Sequence, residues 1–292
     1  MNARTLLTIA IVPGALLLSG AGSATGAGPD HPHKLHGLTG AWSGFSQAIG
    51  NPDIRAADLF VRTQLDHRFE GNFALGPEPH VFPITGTTAS CSNNLSPGED
   101  VACTNNLFYG KSADSKVNAH TTLSDFGDGA AILDGRLKLQ IREAASEEGS
   151  LLLLRNFIGN PDTAPPDLGG QYQGSASFGG EVVGIIIDYR PGRDERGAPT
   201  TAFEGTLILQ PREGTGFPAF AALVLGSVNA DGQIVAIGQG ESGRLVFTAD
   251  FMDPTNAKPP GRIIGELRLV LNDGSAREGT FEAVMVAPPE PD

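Results

Sequence analysis

The chain has 292 residues, among them 39 glycines, 21 prolines and two cysteines, and a formal net charge of −13. That length can support one large domain or two small ones, each with a real core. The acidic balance argues against nucleic acid or an anionic membrane as partner, because both require a basic footprint.

Residues 1–27 read as a secretory signal peptide: Arg4, the apolar run Leu6 to Val12, a Pro13-Gly14 break, Ala15 to Leu18, then small residues that permit cleavage after Ala21, Ala24 or Ala27. A membrane anchor needs roughly 20 continuous apolar residues, and this run is shorter and interrupted. No later stretch is apolar enough to span a bilayer, and no cysteine near the cleavage zone is placed to carry a lipid. The expected product is soluble and secreted or periplasmic. Loss of the leader, whose one charge is Arg4, takes the net charge to −14.

Residues 28–37 form a tail with His31, His33 and His36. Imidazoles this close can converge on zinc, copper or nickel. A proline-containing segment ahead of the first strand reads instead as a mobile tail, so neither a metal nor a cofactor is expected.

From 38 to 158 the sequence predicts an N-terminal barrel-like domain, with strand candidates near 40–48, 58–67, 68–75, 80–88, 105–111, 116–125, 130–134, 136–142 and 150–157. In 136–142, Leu137, Leu139 and Ile141 alternate with Arg136, Lys138, Gln140 and Arg142, the period of a half-buried strand. Asp134-Gly135 reads as a two-residue hairpin turn between 130–134 and 136–142. Helix is expected nowhere except, weakly, over Glu143 to Glu148. Cys91 and Cys103 bracket a polar segment. In an oxidising compartment they read as a disulfide clamping a loop, worth on the order of 3 kcal/mol by chain entropy. Their spacing matches neither Cys-x-x-Cys nor a zinc knuckle.

A proline-rich linker occupies 159–167, and a second domain is predicted over 168–287, ahead of a tail at 288–292. Eight strands are legible there, about 169–178, 181–190, 201–210, 218–228, 232–239, 243–252, 262–271 and 277–287. Leu245, Phe247, Ala249 and Phe251 oppose Arg244, Thr248 and Asp250, and two later strands alternate as cleanly. Eight short antiparallel strands suit a meander closed into a barrel, since closure removes exposed edges. The fold class is therefore all-β, with two antiparallel meander barrels in tandem and little helix.

Two internal registers compete. Leu38-Thr39-Gly40-Ala41-Trp42-Ser43-Gly44 returns at an offset of 130 as Leu168-Gly169-Gly170-Gln171-Tyr172-Gln173-Gly174, and Phe69-Glu70-Gly71 returns at 134 as Phe203-Glu204-Gly205. At an offset of 109, Ile49-Gly50-Asn51-Pro52-Asp53 returns as Ile158-Gly159-Asn160-Pro161-Asp162. The first spans more chain and respects the strand count, so it is preferred. The second reads as a reused turn: Asn51, Asp53 and Asp58, like Asn160, Asp162 and Asp167, could offer oxygens to calcium, but Asn-Pro-Asp is also a stock turn sequence.

Leu38-Thr39-Gly40-Ala41-Trp42 resembles the strand that opens calycin barrels, the lipocalin and avidin group. That resemblance implies a barrel-closing aromatic at Trp42, with Tyr172 in the second copy, beneath a cavity for a small apolar ligand. The alternative is a strand-opening aromatic in a core that binds nothing. Catalytic residues are not assignable: no Gly-x-Ser-x-Gly, His-Glu-x-x-His, phosphate loop or dinucleotide fingerprint is present. Asp66-His67 and His80 are available as an acid–base pair, and Asn94-Leu95-Ser96 fits a glycosylation sequon. The reading is an exported barrel protein that binds a small apolar ligand, with a structural or adhesive module and a secreted enzyme of unrecognised type as alternatives.

Overall fold

Short alternating segments separated by glycine and proline fold here into sixteen antiparallel strands, with no helix among the described residues. The computed structural model describes residues 37–76, 80–90, 104–142, 145–159, 163–195, 197–212, 214–252 and 261–287. The leader, the histidine tail, both cysteines and Asn94 lie outside them.

The first eight strands are β1 (Gly40–Ala48), β2 (Ile54–Leu65), β3 (Arg68–Leu75), β4 (His80–Ser90), β5 (Thr104–Lys111), β6 (Ser115–Asp125), β7 (Ala131–Ile141) and β8 (Glu147–Arg155). Each pairs with the next, and β8 returns to β1, closing a barrel. The second eight are β9 (Gly170–Phe178), β10 (Glu181–Arg193), β11 (Pro199–Gln210), β12 (Phe220–Val228), β13 (Gln233–Gly240), β14 (Gly243–Met252), β15 (Arg262–Leu271) and β16 (Ala276–Ala287). They close likewise through β16 and β9.

The predicted turn at Asp134-Gly135 does not exist. Both residues lie inside β7, Gly135 opposite Thr121 on β6 and Leu151 on β8, and neither has a positive φ. A two-residue turn with positive φ at both positions occurs instead at Gly179-Gly180, between β9 and β10. The misreading has a packing cause. Ala131 and Leu133 point into the barrel while Ile132, between them, points outward beneath the second barrel, so the run is buried on both faces. Beyond Asp134 the outer face meets solvent and ordinary alternation resumes. Gly135 is required because a Cβ there would strike the His120 carbonyl oxygen on β6. Of the weak helix over 143–148, residues 143 and 144 lie outside the described residues and the rest is not helical: Glu147 and Glu148 open β8, which the doubly buried run Leu151 to Leu154 holds as a strand.

Equivalent packing devices recur in the two barrels at offsets of 130 to 140. At Gly44 and Gly174, at Gly149 and Gly279, and at Gly71 and Gly205, a neighbouring strand's carbonyl oxygen occupies the space of a Cβ. The Phe69 ring covers Gly86, and the Phe203 ring covers Gly226. These correspondences decide for the longer register. The 109-residue match joins unlike places: Asn51 lies in the β1–β2 connection, whereas Ile158 and Gly159 follow β8, and Asn160 to Asp162 lie outside the described residues.

A third apolar cluster binds the barrels together: Phe45, Ile132, Leu152, Leu154 and Phe157 pack on Val235 and Ile237. Within that interface Gln239 Nε2 donates to Gln47 Oε1 at 2.7 Å, and the Phe157 N–H donates to Ser227 Oγ at 2.9 Å.

Candidate functional site: an outer groove on the first barrel

The barrel interiors are filled by their own side chains. Most inward-facing residues of the first barrel run from Leu123 at 0% to Ser115 at 8% exposure, and most of the second are as deeply buried, with Ile141, Phe251, Leu271 and Met285 partly open. A large void would leave its lining accessible, and among the described residues the lining of both barrels is mostly buried. Trp42 and Tyr172 are buried and anchored in the same way in their two barrels. The Trp42 indole N–H donates to the Leu38 carbonyl at 2.9 Å, and the Tyr172 hydroxyl donates to the Leu168 carbonyl at 3.0 Å. Over Trp42 lies the Arg155 guanidinium, 4.8 Å from the ring centroid. Arg155 also donates to the carbonyls of Gly37, Thr39 and Gly129, and burial pulls its pKa down. Nothing in the local pattern around Arg155 marks it for that clamp.

The substantial concavity lies outside, on the wall formed by β3 to β8, with a volume of about 860 Å³. Register builds it. One cross-strand row carries Arg68, Thr87, Leu107, His120 and Arg136 on five successive strands. The next carries Glu70, Thr85, Tyr109, Asn118, Lys138 and Glu148. Each is an outward position because its neighbours, such as Phe69, Phe108 and Leu137, point into the core. Leu107 is 55% exposed and Tyr109 43%, unusual for large side chains on a half-buried wall. At the edge Lys138 Nζ sits 2.8 Å from Glu148 Oε1, and that hydrogen bond with its charge holds the Glu148 carboxyl below the usual range.

Other predicted residues are not brought together. His67 lies in the β2–β3 turn and His80 opens β4, at opposite ends of the eight-residue strand β3. They are separated by roughly 25 Å at strand rise, so no acid–base pair forms. Asn51 Oδ1 accepts from the Asp53 N–H at 2.9 Å, the local cap of a turn, while Asp58 sits on β2. Asn160 and Asp162 lie outside the described residues. Asp167 Oδ1 likewise accepts from the Gly169 N–H at 2.9 Å. Among the described residues no group of three or more His, Cys, Asp or Glu stands close enough to hold a metal ion. Sequence reasoning missed the groove itself. The available signal was charge depletion: residues 80–124 contain only three carboxylates, Glu99, Asp100 and Asp114.

Fold and site define an all-β protein of two closed eight-strand barrels with an open groove on one wall. Among the described residues no helix is long and apolar enough to cross a membrane. No family model and no curated protein matches the chain. Among solved structures it is similar to a protein of unknown function of the DUF3598 family from Nostoc punctiforme, at 9% identity over 85% of this chain and 96% of that one, with a TM-score of 0.26. It is also similar to a Nitrosomonas europaea protein bearing the provisional name AttH, at 11% identity over 88% and 98%, with a TM-score of 0.24. Likeness at this level carries no inference about activity.

Proposed function

We propose that the protein is an exported, calycin-like binding protein, and that it holds its ligand in the outer groove of the first barrel. The observation that carries this reading is the groove: about 860 Å³, within the usual range for ligand sites, where Leu107 and Tyr109 of β5 meet Arg68, His120 and Arg136 from three other strands. The filled interiors turn attention away from the cavity that the calycin resemblance implies. Export rests on the leader sequence. The test is native mass spectrometry of protein purified from its source, alongside a Leu107→Ala/Tyr109→Ala variant. Both substitutions lie on the exposed wall and leave the core intact. Retained mass on the wild type and bare variant protein is the expected result. Bare protein in both, or equal retention in both, would remove the groove from the account.

A further inference from the structure

We infer that the groove's ligand is an acidic oligosaccharide, a chain of sugars carrying carboxylates; this rests on the outer-groove reading above. The first support is where charge is missing. The protein has 33 acidic and 20 basic residues, yet every outward-facing residue of β4, β5 and β6 lacks a carboxylate. The second is where charge is left unpaired. Arg55, Lys138, Arg142, Arg193, Arg244 and Arg262 each stand against a carboxylate. Arg68 and Arg136, which line the groove, and Lys111 and Lys116, further along the same wall, have no ion pair among the described residues; Arg62, Arg155, Arg190 and Arg212 also lack one but are scattered elsewhere, and Arg136 lends its charge to Glu148 without a direct bridge. On a chain of net charge −13, a strip over β4 to β6 that is free of carboxylates, flanked by Arg68 and Arg136 with Glu70 and Glu148 only at the groove's rims, offers complementarity to an anion.

The remaining chemistry selects among anions. A wholly apolar or long-chain molecule wants most of its surface buried, which a groove on the open outer wall of a barrel does not provide. A saccharide keeps its hydroxyls in water while making a few directed contacts. Thr85, Thr87 and Asn118 supply hydrogen-bonding groups beside Tyr109 and Leu107, on whose apolar faces sugar rings can lie. Arg68 and Arg136 end one row, four strand spacings apart, roughly 19 Å along the curved sheet. Each guanidinium can hold a carboxylate bidentately, so the row suits one elongated chain with charges at intervals. A nucleic acid, with its much denser charge, would meet the repulsion of the acidic remainder.

The experiment titrates the full-length mature protein with trigalacturonate, with the matching neutral galactose trimer and with dodecanoate, by calorimetry and by amide shift mapping. Trigalacturonate is expected to shift resonances of β3 to β8 and to bind about tenfold or more tightly than the neutral trimer. Its affinity should fall with added salt. Arg68→Ala and Arg136→Ala, both exposed, should each weaken it about tenfold, with unfolding curves confirming that the variants are folded. Equal binding of the neutral trimer, or indifference to both substitutions, would overturn the acidic class and leave the groove reading intact. Dodecanoate alone shifting these residues would overturn the saccharide and keep the groove. Shifts from none of the three would overturn both.

Discussion

Two tyrosines in the second barrel, with ring centroids 5.8 Å apart, should respond to loss of the hydroxyl with opposite signs. Tyr189 is fully buried, packs tilted against Phe203 with ring centroids 4.6 Å apart, and among the described residues its hydroxyl has no hydrogen-bond partner. An unsatisfied buried hydroxyl costs about 1–3 kcal/mol. Tyr189→Phe keeps the ring and removes that cost, so it should stabilise the fold by about 1 kcal/mol and raise Tm by about 2–4 °C. Tyr172→Phe removes the bond to the Leu168 carbonyl and should destabilise by about 0.5–1.5 kcal/mol. A pH arm sharpens the test. Burial, and secondarily the neighbouring Tyr172, raises the Tyr189 pKa well above its ordinary value. A raised folded-state pKa means that the protonated phenol favours folding fully below about pH 10 and that this contribution drains as pH climbs through the folded value. Wild-type stability should therefore fall above about pH 10 by as much as 1.4 kcal/mol per pH unit from this group, and Tyr189→Phe should fall less steeply. Urea midpoints at constant slope, at pH 8 and in alkaline buffer, measure both effects. Should Tyr189→Phe lose more than about 1 kcal/mol, the hydroxyl is bonded to a buried water and the reasoning fails.

Gly226→Ala should destabilise by about 1–3 kcal/mol, because its Cβ would enter the Phe203 ring and the closed barrel leaves little room to shift; Gly214→Ala, with open space around it, isolates the cost of its positive φ. Ser90 pairs with Thr104, so each cysteine stands one residue beyond a cross-strand pair. A Cys91–Cys103 link is expected from peptide mapping without reductant, and reduction should cost on the order of 3 kcal/mol; free thiols would remove the clamp. A fragment of residues 165–292 retains a closed strand ladder and should unfold cooperatively. It would also expose Val235, Ile237 and neighbouring apolar residues of the shared cluster, so sedimentation should show self-association that Val235→Thr/Ile237→Thr relieves. A monomeric wild-type fragment would mean that the third cluster is not sticky, and an unfolded one that the barrels share a single core.

The sequence by itself determined the class and the eight strands of the second barrel, and over-counted the first barrel by one. Period-two alternation, as in Leu245, Phe247 and Ala249, needs only one wet face and one dry face, and that condition is local along β14, β15 and β16. Reading failed where a second body covered the wet face. Ile132 beneath the second barrel broke the alternation, so one strand was split at Asp134-Gly135; the run Leu151 to Leu154 was still legible as a strand, and only Glu147 and Glu148 ahead of it passed for weak helix. The candidate site was illegible for a different reason. Arg68 and Arg136 lie 68 residues apart in the chain, and only the ladder register through β4, β5 and β6 puts them in one row with Leu107 and His120. Spacing along a chain records which face a residue takes. Which residues become neighbours on that face depends on strand order and shear, and those are settled only when the barrel closes.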